Sequence, residues 1–348
     1  MRRNIYGLTY DNLENEILSS GGKKFNTKQI WQWLYRKDTD DFEAMSDLSK
    51  DLRKILNDKF CSELLELEEK HESMDGTIKF LWKLKDGKSV ESVLIPEDDR
   101  VTVCISSQVG CKFNCSFCTT GKMGFLRNLS VDEIVAEVIS MQKMYDRRIS
   151  NVVYMGMGEP FDNYQNVIDS ASILSDDRGL AIGARKITIS TVGKVDGIQR
   201  YTEEDQRYRL AISLHSPFDN VRSSIMPINK KFQIKELFDT LKKYAEKSKR
   251  KVVFEYILLD GLNDRKEDMQ ELKTLLKTLP SKLNLIRFHN NPYSEFKCPD
   301  ERKIYKFYQE MQNRDFPVVI RASRGEDVAA ACGQLGMDKM DGLNRLQQ

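Results

Sequence analysis

The chain has 348 residues, 40% hydrophobic and 31% charged, with 55 Lys and Arg against 53 Asp and Glu for a net charge of +2. That length allows a large domain plus a smaller one, and no apolar run approaches a membrane span. So even a balance excludes a global positive field, and any grip on nucleic acid must come from local patches.

The opening MRRNIYGLTYDNLENEIL is interrupted by acids and amides and lacks the apolar core of a signal peptide, so a cytoplasmic protein is expected. There, seven cysteines point to metal binding or catalysis rather than to a disulfide scaffold. Residues 1–75 read as a helical accessory domain. Asn26 and Thr27 can cap a helix carrying Ile30, Trp31, Leu34 and Tyr35 on one face, and a second helix is expected from Ser46 to Leu56. Trp31 and Trp33 read as core rather than as platforms for bases. Arg36, Lys37, Arg53 and Lys54 read as a solvated helix face.

Residues 76–100 change character. TIKFLWKL and SVESVLIP alternate around an Asp86–Gly87 turn, the pattern of a β-hairpin. VTVCIS (101–106) then leads into an irregular loop, GCKFNCSFCTTGKMG, with Cys111, Cys115 and Cys118 in a C-x3-C-x2-C array. Ser130 and Glu133 form a capping box for a helix reaching Tyr145. After it, strand and helix patterns alternate. Strands are expected at NVVYM (151–155), KITIST (186–191), RLAISL (209–214), VVFEYILL (252–259), NLIRF (284–288) and VVIRA (318–322). Helices are expected between them near 163–175, 196–202, 233–247, 265–278 and 300–313. The alternation predicts a parallel sheet covered by helices: a partial (β/α)6 barrel, with a doubly wound open sheet as the alternative. In either, reacting groups gather at the carboxyl ends of the strands, where GMGEP (156–160), STVG (190–193), SLHSP (213–217) and HNNP (289–292) fall.

Three thiols within eight residues can wrap one inorganic centre. Structural zinc asks for a fourth Cys or His, and His71 and His215 are remote in sequence. Iron–sulfur clusters are held by thiolates, and three leave one iron open to a ligand. A zinc-stabilised RNA-binding module and an iron–sulfur electron carrier stay open as readings of the loop alone.

The array resembles that of the radical S-adenosylmethionine (SAM) enzymes. Together with GFLRNLS, MGMGEP, ISTVG, SLHSP, MPIN and ACGQL, it resembles the RlmN/Cfr group of adenosine methyltransferases over residues 5–336, closer to RlmN. The resemblance implies a 4Fe-4S cluster on Cys111, Cys115 and Cys118. It implies SAM bound by Gly158, Glu159, Ser190, Ser213, Leu214 and His215, with Glu159 suited to its ammonium. Where relatives carry a further Asn, this chain reads RFHNNP, so His289 takes the place by spacing and Asn290 or Asn291 follow.

The implied reaction methylates carbon 2 of an adenine in 23S ribosomal RNA and of the adenine 3′ of some tRNA anticodons; carbon 8, as in Cfr, is the alternative. Two SAM molecules are used per turnover. Cys332 takes a methyl from one; the other is cleaved to a 5′-deoxyadenosyl radical that removes hydrogen from the methylthio group. The carbon radical adds to the base, Glu91 relays a proton, and Cys104 releases the product through a transient disulfide with Cys332. The resemblance further implies RNA as partner, a flavodoxin or ferredoxin as electron donor, a monomer, a core spanning 101–336 and a tail at 337–348. Cys61 and Cys298 match no motif. Lys230–Lys231 and Lys242–Lys251 are the basic stretches available to phosphates.

Overall fold

The computed structural model describes residues 2–289, 291 and 293–336. The chain opens with β1 (Arg3–Asn4), α1 (Tyr10–Ser19), α2 (Lys24–Tyr35), α3 (Lys50–Lys59) and β2 (Phe60–Cys61), and β1 pairs parallel with β2. Thr9 and Ser49 cap α1 and α3 by accepting from the N–H groups of Asn12 and Leu52. Asn26 does not start α2. It sits one turn inside, where its side chain accepts from the Lys23 N–H at 2.8 Å, and Thr27 is buried. The second helix likewise begins at Lys50 rather than Ser46.

Trp31 is core, packed against Tyr10 and Tyr35, whereas Trp33 is half-buried, its Nε1–H bonded to Asp47 at 2.6 Å. The small core of this domain includes Val135, Ile139 and Ile173 from the large domain.

The helical reading of 1–75 ends at Lys59. β3 (Glu66–Glu72) is an exposed strand that pairs antiparallel with β4 (Ile78–Lys83), which pairs with β5 (Ser89–Pro96) across the expected turn. Its sequence, ELEEKHE, carries no apolar alternation because neither face enters a core. β5 pairs antiparallel with β6 (Val101–Cys104). After β6 the chain leaves the sheet for a small ribbon, β7 (Gln108–Gly110) with β8 (Phe125–Asn128), enclosing the short α4 (Thr119–Lys122). α5 (Val131–Lys143) then starts on the expected Ser130–Glu133 capping box.

The large sheet continues through β9 (Asn151–Tyr154), β10 (Ile187–Thr191), β11 (Arg209–Ser213), β12 (Val252–Leu258), β13 (Ser281–Arg287) and β14 (Val318–Ile320), all parallel. Between them lie α6 (Tyr164–Ser175), α7 (Val195–Glu203), α8 (Asp219–Ile225), α9 (Ile234–Ser248), α10 (Lys266–Leu276) and α11 (Glu301–Met311). A doubly wound sheet reverses its strand order at a switch point. Here the order follows the chain from β3 to β14 without reversal, and the two edges stay unpaired. That is the partial barrel, so the doubly wound alternative falls. Alternate residues face its lumen: Val253, Glu255 and Ile257 on β12, Lys282, Asn284 and Ile286 on β13. No helix among the described residues is long and apolar enough to cross a membrane.

One buried cation fixes the carboxyl ends of two barrel strands. Arg222 of α8, fully buried, donates to the carbonyls of Val192 (2.7 Å), Ser213 (3.0 Å) and Leu214 (3.1 Å) and to the Asn229 amide oxygen (2.8 Å). Burial pulls its pKa down to about 10. Replacing it leaves several buried carbonyls without donors, each costing about 1–3 kcal/mol. Arg222→Met is therefore expected to lower stability by about 3 kcal/mol or more; an unchanged urea midpoint would contradict this role.

Candidate active site

The cysteine loop is shaped by its backbone. Gly110 has φ +74°, and a Cβ there would strike the Gly124 carbonyl, which accepts from the Cys111 N–H at 2.8 Å. The Cys118 N–H donates to the Cys115 carbonyl (3.1 Å), and the Ser116 N–H to Ile225 of α8 (2.9 Å). These bonds bring all three thiols onto one cavity at the carboxyl end of the barrel. Burial raises each thiol: Cys111 up to about 12, Cys115 well above the ordinary thiol value, Cys118 in the same direction. Desolvated thiols of this kind lose their protons to an electropositive centre. Among the described residues no three such side chains converge on a single-ion site. A thiol-lined cavity with separated sulfurs fits a multi-metal cluster better than one zinc.

The facing wall comes from the strand ends. Gly158 has φ +101°, and a Cβ there would lie 2.5 Å from Cβ of Gln108. The Gln108 amide oxygen accepts from the Glu159 N–H at 2.9 Å. The Glu159 carboxylate accepts from the N–H groups of Phe161 (3.0 Å) and Val192 (2.8 Å), which leaves acceptor capacity toward the cavity. Burial pushes its carboxyl up to about 7, against those hydrogen bonds.

Ser190, Ser213 and His215 complete the wall. His215 adopts φ +56°, and its Nδ1 accepts from the Ile257 N–H at 3.0 Å. Burial, then Arg222, pulls it down to about 3, so the ring is neutral and its Nε2 is the donor. Leu214 lies behind the wall, its N–H on the Glu255 carbonyl at 3.0 Å. Asn291 reaches the cysteine loop, with Nδ2 3.5 Å from the Phe117 carbonyl, while His289 lines a different cleft. Asn290 lies outside the described residues, as do residues 337–348.

That second cleft, about 1060 Å³, occupies the amino-terminal half of the lumen. Among the described residues, twelve of its lining side chains are Lys or Arg and two are Glu. Lys249, Arg250 and Lys251 belong to it, whereas Lys230 and Lys231 sit on a separate surface with Lys235 and Lys243. Of the others, Arg100, Arg185, Lys186, Arg207, Arg209 and Lys282 lie at or near the amino ends of strands, and Arg287, Arg321 and Arg324 lie at or beyond the carboxyl ends of β13 and β14.

Cys332 lines both cavities, together with Met155, Glu255, Ile286 and Arg321. Its segment is tied down at three points. The Thr119 N–H donates to the Gly333 carbonyl (2.8 Å), the Thr120 hydroxyl to the Leu335 carbonyl (2.7 Å), and the Gly336 N–H to Glu91 Oε2 (3.0 Å). Glu91 is buried, 1% exposed, and lines neither cavity. Cys104 is pushed up to about 12 by burial and then by Cys332, with Arg321 pulling it down. The Arg321 guanidinium is in turn held charged, first by Cys332. All seven cysteines are free thiols; Cys61 sits in the small domain, its thiol directed at the Arg2 carbonyl, and Cys298 is half-buried.

Arg321, Glu255, Asn284 and Thr120 were not singled out from sequence. Glu255 had a signal: an acid alone in the apolar strand VVFEYILL.

Residues 105–273 match the Radical SAM superfamily, and residues 3–61 the Ribosomal RNA large subunit methyltransferase N-terminal domain. The chain is 42% identical over 337 residues to the probable dual-specificity RNA methyltransferase RlmN of Staphylococcus haemolyticus, covering 96% of this chain and 93% of that protein. The corresponding protein of Staphylococcus aureus gives the same figures, 42%, 96% and 93%. A crystal structure of a radical SAM methyltransferase from Sphaerobacter thermophilus superposes with a TM-score of 0.90 at 40% identity, covering 96% of this chain and 99% of that one.

Thr120→Val removes the hydroxyl that holds Leu335 without changing volume. Hydrogen exchange across Gly333–Gly336 is expected to accelerate about ten-fold, for a loss of about 1–2 kcal/mol. Unchanged protection there would mean that the other two bonds suffice.

Proposed function

This chain belongs to the RlmN family of radical SAM RNA methyltransferases, and on that footing we propose that it methylates carbon 2 of a specific adenine in 23S ribosomal RNA and of the adenine 3′ of the anticodon in some tRNAs. Membership sets aside the electron-carrier and zinc-module readings. The observation that carries the proposal is the place of Cys332, on the seam where the thiol-lined cavity meets the cation-rich cleft. A sulfur that accepts a methyl on one side and delivers it to RNA on the other needs that address.

Cys111, Cys115 and Cys118 hold the cluster. Gly158, Glu159, Ser190, Ser213, His215 and Asn291 bind SAM, Asn291 being favoured over His289 because it reaches the cysteine loop. A cluster held there together with SAM supplies one-electron chemistry, which activates a methyl group for attack on an aromatic carbon that polar transfer does not reach. Two SAM molecules are consumed, one of them in methylating Cys332.

The thiolate of Cys332 is the nucleophile toward the SAM methyl, and it shares the wall of both cavities with the Arg321 guanidinium. Glu91, buried behind the cavities and bonded to the carrier segment at Gly336, relays the proton that leaves carbon 2 rather than touching the base itself. Cys104 then attacks the sulfur of Cys332; an S–S bond forms as the S–C bond breaks, the released carbon keeps the electron pair and takes up a proton to become the methyl group, and an external reductant restores both thiols with two electrons and two protons.

The cations at the strand entrances meet RNA phosphates, and the target base leaves its stack to reach the seam. The domain at residues 1–75 extends that RNA contact. The setting is the cytoplasm, the enzyme acts as a monomer, and a flavodoxin or ferredoxin supplies electrons.

Digested RNA from cells with and without the protein tests the site of methylation: 2-methyladenosine is expected, and 8-methyladenosine in its place would overturn the carbon-2 assignment. Cys332→Ala is expected to abolish methylation while iron and sulfide content stay at wild-type levels; full activity would sink the carrier role. Cys104→Ala is expected to accumulate a covalent RNA–protein adduct, visible as a shifted band in a denaturing gel. Free RNA alone with normal turnover would contradict it.

A further inference from the structure

Midway up the lumen, Glu255 is 3% exposed and borders both cavities beside Cys332. Its two carboxylate oxygens have different fates. Oε1 accepts from the Asn284 side-chain N–H at 2.9 Å, and Asn284 is its register partner on β13. Oε2 is buried with no hydrogen-bond partner among the described residues, and the nearest cation, Arg321 Nη1, stands 3.9 Å away, beyond hydrogen-bond reach. Buried polar atoms are normally paired, and an orphan aimed into a cavity marks where a ligand's donor goes. An ionised carboxylate only accepts. Of the groups a purine shows at position 6, the adenine amino is a donor, whereas the guanine carbonyl is an acceptor that would face the carboxylate oxygen directly.

We infer that Glu255, oriented by Asn284, is the residue that selects adenine at the seam, its Oε2 accepting a hydrogen bond from the 6-amino group. This rests on the proposed reaction and adds to it a specificity-determining contact on the same Watson–Crick edge as carbon 2, one ring atom away, as suits a carboxylate beside the carrier sulfur.

The test is single-turnover methylation of one RNA fragment carrying adenine, unsubstituted purine or hypoxanthine at the target, with wild-type enzyme and Glu255→Gln. Wild type is expected to methylate the purine RNA roughly 10- to 100-fold more slowly than the adenine RNA, the range for losing a hydrogen bond to an ionised group. Glu255→Gln should lose a similar factor on adenine RNA and nothing further on purine RNA, collapsing the ratio toward one. With its oxygen taken by Asn284, the Gln amide N–H₂ faces the base, so the variant should gain on hypoxanthine relative to wild type. Equal wild-type rates on adenine and purine overturn the inference, and that arm holds even if the variant fails to fold. A variant that keeps the wild-type ratio also overturns it. So does a variant that no longer methylates Cys332 before RNA is added, since Glu255 would then serve the cofactor. If wild type methylates no adenine RNA, the proposed reaction itself has failed, and the inference with it.

Discussion

Cys332 lies where two cavities of different character meet, and it is held there from outside its own segment. The stretch around it has little regular structure beyond a single 3₁₀ turn at Glu326–Val328, followed by Ala329 at φ +51°. Its position therefore depends on borrowed bonds. The cysteine loop supplies Thr119 and Thr120, and the hairpin supplies Glu91. The turn between β3 and β4 adds three more, the Ser73 hydroxyl on Asp327 at 2.5 Å, the Met74 N–H on the same carboxylate at 3.2 Å and Asp75 accepting from the Gly325 N–H at 3.1 Å. The hairpin extension is thus a bracket for the C-terminal segment as well as an added edge of the sheet.

Charge follows the same division. A chain of net charge +2 concentrates cations at the amino-terminal entrances of its barrel strands, while the carboxyl ends carry hydroxyls, a neutral imidazole and three thiols. Cations and thiols are thus concentrated toward opposite ends of one lumen. Arg321 stands between, and its charge favours the thiolate of Cys104. That opposes the burial which otherwise keeps Cys104 protonated.

What could be read from the sequence follows from which interactions are local. Strand identities were legible because segments such as VVFEYILL are apolar on both faces, and the capping box at Ser130 is a four-residue signal. The three thiols were legible because their array is contiguous. β3 was not, since an exposed edge strand has no burial pattern to betray it. Nor was the cation-lined entrance, whose residues are spread one or two per strand from Arg185 to Lys282 and meet only when the barrel curls. The runs that caught the eye divide: Lys249–Lys251 belongs to the cleft, and Lys230–Lys231 does not. The choice between His289 and Asn291 could not be made from spacing, because it depends on which side of the lumen wall each side chain emerges.

The accessory domain is joined to this chemistry through α5. Eight consecutive residues of that helix, Ile134 to Met141, are buried, as expected only for a helix covered on every side. Val135 and Ile139 enter the small domain's core, and Ile134 and Val138 enter the barrel's. Between them Glu137, its carboxyl pushed well up by burial, accepts from the Ser106 N–H through both oxygens, at 3.0 and 3.2 Å. Ser106 in turn donates its hydroxyl to the Glu91 carbonyl at 2.6 Å. The same helix therefore seats the accessory domain, holds the backbone that leads from Cys104 into the cysteine loop, and supports the strand that carries Glu91. An accessory domain seated in this way cannot rotate on the barrel without breaking a core shared with the walls of the site.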